Sequence, residues 1–69
     1  MIEDLNEKLQ FFLENKTKIH VDLLDGTFLN GFLLKKVKDN IWYLHEDKLG
    51  AVFLFTKDIE RLQQFRSII

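Results

Sequence analysis

The stretch Ile19-His20-Val21-Asp22-Leu23-Leu24-Asp25-Gly26-Thr27-Phe28-Leu29-Asn30-Gly31-Phe32-Leu33 decides how this chain folds. Ile19, Val21 and Leu23 alternate with His20, Asp22 and Leu24, the period of a strand that buries its first set. Asp25-Gly26 follows at once. An Asp-Gly pair between alternating apolar runs is the strongest short-range hairpin signal, because the tight turn needs a backbone with positive φ. The return strand runs from Thr27 to about Lys38. It places Leu29, Leu33 and Val37 on one face with Gly31, and Phe28, Asn30, Phe32 and Leu34 on the other. A Gly inside a strand marks a bend or a close backbone approach, so this long strand is expected to curve strongly.

Working outward, residues 2–14 read as an amphipathic helix. Ile2, Leu5, Leu9, Phe12 and Leu13 recur at helical spacing, and acidic residues fill the first turn, where the helix dipole favours them. Asn15 is the expected stop, as a residue that tolerates the left-handed conformation. Beyond the hairpin, Asp39-Asn40 turns the chain into a third strand, Ile41 to His45. Glu46 to Gly50 form another turn, with the adjacent carboxylates Glu46 and Asp47 expected to face solvent. Ala51 to Phe55 make a fourth strand and Thr56 to Asp58 a tight connection. Ile59 to Phe65 make a fifth strand, with Ile59 and Leu62 inward. Trp42 and Tyr43 project to opposite faces of the third strand, one as core and one as an exposed ring. The expectation is a mainly β single domain over residues 1–69: a helix, then five antiparallel strands over about residues 17–65.

Composition narrows the possibilities. A chain of 69 residues buries only about 60% of the surface its unfolded form exposes, so its core alone is marginal. Such chains add a disulfide, a metal or a partner subunit. No Cys is present, which removes disulfides and thiolate zinc sites, and His20 and His45 are too few for a metal cage. Partner subunits are the remaining route. The net charge of −1 speaks against a strongly cationic nucleic-acid binder, although a local basic patch is compatible with it. The N-terminal MIEDLNEKL has no apolar segment of the signal-peptide kind. The longest apolar run, Ala51 to Phe55, is far short of the roughly 20 residues that span a bilayer. No membrane partner is expected, and the absence of Cys agrees with a cytoplasmic location.

Val21-x-Leu23-x-Asp25-Gly26 followed by Leu29-x-Gly31-x-Leu33, behind a leading helix, resembles the first half of the Sm/LSm motif. Leu54-x-x-x-x-Ile59 is similar to the apolar positions of the second half. The resemblance covers roughly residues 3 to 65. It implies a strongly bent five-stranded barrel that assembles into a homo-oligomeric ring, here five to eight copies, through the fourth and fifth strands of neighbours. It also implies binding of short single-stranded RNA around the pore. The chain departs from the family at the RNA-contact positions. The places of the family's Asp and Asn hold Val37 and Ile41, with Asp39 and Asn40 close by, and the Arg-Gly pair falls on Phe55-Thr56. The bacterial RNA chaperone of the same superfamily uses an aromatic, a Lys and a His there, and Phe55 with Lys57 is similar to that arrangement.

The candidate RNA-binding residues are therefore Phe55, as a ring for base stacking, Lys57 near phosphate, and Asp39 and Asn40. Each has a plainer reading: Phe55 as core or interface, and the cluster Lys35, Lys36 and Lys38 as a solvated strand end, with Lys16 and Lys18 discounted likewise. No nucleophile context, phosphate loop or metal-ligand spacing occurs, so no catalysis, cofactor or metal is expected. The alternative to an RNA-chaperone-type scaffold is a protein-interaction or structural oligomeric module without nucleic-acid binding. An SH3-like barrel would share most of the strand pattern, but the leading helix and the tight connection between strands four and five argue against it.

Overall fold

The computed structural model describes residues 4–66. Helix α1, Leu5–Glu14, leads into strands β1, Ile19–Leu23, β2, Phe28–Lys38, β3, Ile41–Glu46, and β4, Gly50–Phe55. One turn of 3₁₀ helix, Thr56–Asp58, then connects β4 to β5, Ile59–Gln64. The expected order of one helix and five antiparallel strands is the order observed.

Asp4 caps α1, its carboxylate accepting from the backbone N–H groups of Asn6 (2.9 Å) and Glu7 (3.4 Å), donors that a helix start leaves without a partner. The Ile2 and Glu3 positions of the expected helix lie outside the described residues. At the other end the reading of Asn15 needs correction. Asn15 caps the helix with φ −91°, its Nδ2 donating to the Phe11 carbonyl at 2.8 Å, and the left-handed residue is its neighbour Lys16, with φ 52°.

The sheet runs in the order β4-β3-β2-β1-β5. It is open: β4 and β5 are its two edges, so the chain does not close the barrel on itself. At the β1–β2 hairpin Gly26 supplies a φ of 91°, while Asp25 Oδ1 accepts from the Thr27 N–H (2.9 Å) and hydroxyl (2.6 Å). Leu23 N–H closes the loop onto the Thr27 carbonyl at 2.8 Å.

Strand β2 crosses the sheet with two irregularities in its pairing to β3, between Leu33 and Lys35 and between Lys36 and Lys38. Each places an extra residue on β2, a bulge that resets the inside–outside alternation. This overturns the expected inward position of Val37. Leu33 is buried as expected, but beyond the first bulge Lys36 pairs with Trp42, and Val37 is left 44% exposed. Strict alternation from Leu29 cannot survive an inserted residue.

The core forms under α1 on one face of the sheet. Leu9 and Phe12 of the helix meet Ile19, Val21, Leu33, Trp42, Leu44, Leu54, Ile59 and Leu62. Trp42 is the fully buried ring and Tyr43, on the opposite face, is half-buried. Lys8 ties the helix to β5 through a 2.6 Å hydrogen bond from Nζ to the Leu62 carbonyl.

The tightest approach is between β2 and β3 at Gly31. A Cβ there would overlap the His45 carbonyl oxygen and come within 2.8 Å of its carbon and 2.9 Å of Glu46 Cα. Beside it, Glu46 departs from expectation. It belongs to β3 and is buried, and its carboxylate accepts from the N–H groups of Asn30 (3.0 Å), Lys48 (2.7 Å) and Leu49 (2.9 Å). One side chain thus pins the β3–β4 turn to β2. The Asn30 amide, then those of Leu49 and Lys48, hold this carboxyl below the usual carboxylate range against the opposing effect of burial.

Two outcomes follow from this junction. Gly31→Ala forces backbone against backbone, and is expected to cost at least about 3 kcal/mol, the upper end of ordinary overpacking, read as a fall in the urea midpoint by circular dichroism. Retention of the wild-type midpoint would show that the strands can part without loss. For Glu46, a folded-state pKa below the unfolded value means stability that is present above that value and lost as pH falls through the folded one. The gap in urea midpoint between wild type and Glu46→Gln is therefore expected to be wide at about pH 7 and to narrow progressively as pH falls below the usual carboxylate range. A gap that stays constant over that range would exclude the carboxylate charge as the anchor.

Candidate functional site

Register brings the candidate residues together. Strand β3 returns antiparallel to β4 with Ile41 opposite Phe55, so the β2–β3 turn and the exit from β4 lie side by side. Asp39, Asn40, Ile41, Phe55, Thr56 and Lys57 line one cleft of about 570 Å³. All four residues singled out in the sequence are in it.

Asn40 holds the turn with a φ of 72°, a conformation that Asn tolerates better than most residues. Its carbonyl accepts from Thr56 N–H at 3.0 Å and its side-chain Oδ1 from Thr56 Oγ1 at 2.9 Å, which fastens the two turns to one another. Asn6 of α1 completes the junction. Its Oδ1 accepts from Asn40 N–H (2.9 Å) and from the indole N–H of Trp42 (3.1 Å), and its Nδ2 donates to Asn40 Oδ1 at 2.8 Å. Helix, turn and strand end meet in one polar network at the rim of the core.

Phe55 is 37% exposed, neither core nor free. Its ring centroid lies 6.4 Å from that of Phe53, which in turn lies 5.2 Å from Tyr43. An aromatic row therefore runs from Tyr43 on β3 across to Phe53 and Phe55 on the edge strand β4 and ends at the cleft. Asp39 is directed away into an ion pair with Lys36 at 2.7 Å, whose hydrogen bond and charge hold the Asp39 carboxyl below its ordinary range. Lys36 also lies over the Trp42 ring at 5.6 Å. Of the basic cluster, Lys36 is thus engaged, while Lys35 and Lys38 are exposed along with Lys57. Chemically, the cleft offers a ring face, amide groups and a cation.

The other sequence candidates lie elsewhere. Lys18 pairs with Asp47 at 2.6 Å and sits 4.3 Å from the Phe65 ring centroid. His20 is held between Asn30 Oδ1 (2.5 Å) and Asp22 Oδ1 (3.0 Å), stacked near Phe28, beside a depression of about 300 Å³. His45 is exposed on β3. Among the described residues no group of three or more His, Asp or Glu could hold a metal ion, and no helix is long and apolar enough to cross a membrane.

Sequence reasoning missed Asn6 and Thr56. Thr56 was legible only as a place where the resemblance breaks, and Asn6 stands 34 residues from its partner. No local pattern signals a contact at that separation. Comparison with family models, with curated proteins and with solved structures finds no match to this chain. The Sm-like resemblance accordingly rests on the residues quoted for it.

Proposed function

We propose that this chain is an Sm-like subunit that assembles into a cytoplasmic homo-oligomeric ring and binds single-stranded RNA as a non-catalytic, RNA-chaperone-type scaffold. The observation that carries the reading is the convergence of Asp39 and Asn40 with Phe55 and Lys57 in one cleft. Stacking on a ring such as Phe55 supplies about 1–3 kcal/mol per base and tolerates any sequence, and Lys57 supplies a cation for phosphate.

Assembly is supported by the edges. Strands β4 and β5 are each six residues long, and among the described residues neither has a partner on its outer side. Exposed edges invite pairing, and pairing β4 of one copy with β5 of the next closes a ring and leaves none unpaired. The outer face of the sheet adds apolar surface. Phe53 is 58% exposed at the β4 edge, and Phe28, Phe32 and Leu34 are exposed on β2. That same surface favours the second reading, a protein-interaction module with no nucleic-acid binding.

Two measurements test the proposal. Light scattering is expected to give roughly five to eight times the chain mass, whereas a monomer at high concentration would refute the ring. In fluorescence anisotropy, short uridine- and adenosine-rich oligonucleotides are expected to bind and to weaken as salt rises. Phe55→Ala should reduce that affinity roughly fivefold to a hundredfold with the oligomer mass unchanged. No binding at low salt would leave the interaction module as the reading, and unchanged affinity would remove Phe55 from the site.

A further inference from the structure

We infer that the face of the sheet turned away from α1 is a self-association surface, which seats the same face of a second copy across a two-fold axis running along β3. The inference rests on neither the ring nor RNA binding. Register lays the surface out in rows across β2, β3 and β4. One row is Phe32, His45 and Ala51, and the next is Lys35, Tyr43 and Phe53. Strand alternation turns these side chains to the side opposite Trp42 and Leu44, which lie in the core under α1. Phe32 and Phe53 are about half exposed, and no carboxylate stands in either row.

The area fits a stable contact. An aromatic side chain carries roughly 150–250 Å² of surface, so the exposed parts of Phe28, Phe32 and Phe53 amount to about 300 Å². Leu34, also exposed on β2, the half-buried Tyr43 and the aliphatic stem of Lys35 add to it. An interface of standard size takes about 800 Å² from each partner, of which rather more than half is apolar. The patch supplies most of that apolar share. One face of the sheet is sealed by α1 and the other is bare, and two sheets packed about 10 Å apart cover such faces mutually.

The order of residues along the rows is what makes the occupant a second copy. A two-fold axis along β3 lays β2 of one copy over β4 of the other, with the strands aligned as packed sheets prefer. Phe32 then falls on Ala51 of the second copy, a ring opposite a methyl group. Lys35 falls on Phe53 of the second copy, a cation opposite the face of a ring. Symmetry makes each of these meetings twice, while His45 and Tyr43 lie on the axis and meet their own counterparts. Lys35 has no ion pair among the described residues, so its charge is available. The next row toward the β2–β3 turn ends at the cleft and lies outside the contact.

Light scattering over a concentration series is the first measurement, with circular dichroism reporting the fold of each variant. Mass is expected to rise to twice that of the smallest species, whether that species is a single chain or a ring. Phe32→Ala and Ala51→Phe should each weaken the doubling by roughly thirtyfold, since the contact contains each seat twice. Phe32→Ala combined with Ala51→Phe exchanges large for small across the axis, and should restore the doubling to within about threefold of wild type. A partner of another kind would gain nothing from that exchange.

The second measurement leaves Phe32 and Ala51 untouched. The chain has no Cys, so His45→Cys places a single thiol on the axis. A bismaleimide spanning about 10 Å, the separation of packed sheets, is expected to link pairs of chains through it. Phe11→Cys, on the exposed side of α1, is expected to give no linked pairs. Mass that stays at that of the smallest species, with no pairs linked through His45→Cys, overturns the contact and leaves the face to a partner other than this chain. Doubling that a folded Phe32→Ala protein retains, or that the exchanged pair fails to recover, overturns it as well. None of these results touches the sheet edges or the cleft, so a ring that does not double keeps its own reading.

Discussion

Everything in this fold is arranged around the approach of β2 to β3 at Gly31. There the His45 carbonyl and Glu46 Cα occupy the space that any side chain would need, and the neighbouring Glu46 carboxylate gathers three backbone N–H groups from two elements. A missing Cβ and a buried charge act on the same few ångströms. The first allows the backbones to close, and the second satisfies donors that the β3–β4 turn would otherwise leave unpaired in a partly buried place. Because β3 is fixed here, its far end is fixed too, and Ile41 arrives opposite Phe55. The cleft is a remote consequence of a contact at the other end of the strand.

The same economy appears in α1. Its apolar stripe covers the core through Leu9 and Phe12, which is the ordinary use of an amphipathic helix. Its polar residues do more than face water. Asn6 meets the indole of Trp42 at the boundary of the core and the backbone N–H of Asn40 in the turn, and Lys8 reaches the Leu62 carbonyl on β5. The helix is thereby joined to both the β2–β3 turn and an edge strand. Burial of Trp42 with its N–H satisfied gives the core its largest side chain without an orphaned donor.

Against this well-satisfied interior stands an apolar exterior. Six of the strand and turn residues with large exposed side chains, Phe28, Phe32, Leu34, Val37, Phe53 and Phe55, belong to β2 and β4. Scattered apolar residues on a surface need no account. A ring row along an open edge strand is different, since it combines unpaired backbone with apolar area in one place. Four of the seven Phe residues, Phe28, Phe32, Phe53 and Phe55, are exposed on these two strands, and this is the physical ground for the assembly proposed above.

What the sequence determined by itself is the succession of elements and most of the core. The helix, the Asp25-Gly26 hairpin and the inward set Ile19, Val21, Leu33, Ile59 and Leu62 were legible because period and turn chemistry are local properties. Tertiary structure decided the rest. Val37 turned outward because a bulge depends on the partner strand, Glu46 was buried because three amides converge on it, and the sheet stayed open because closure would need β4 and β5 to meet. Asn6, Asn40 and Thr56 came together because register, a relation between strands, places distant residues side by side, and no pattern within one segment encodes that relation.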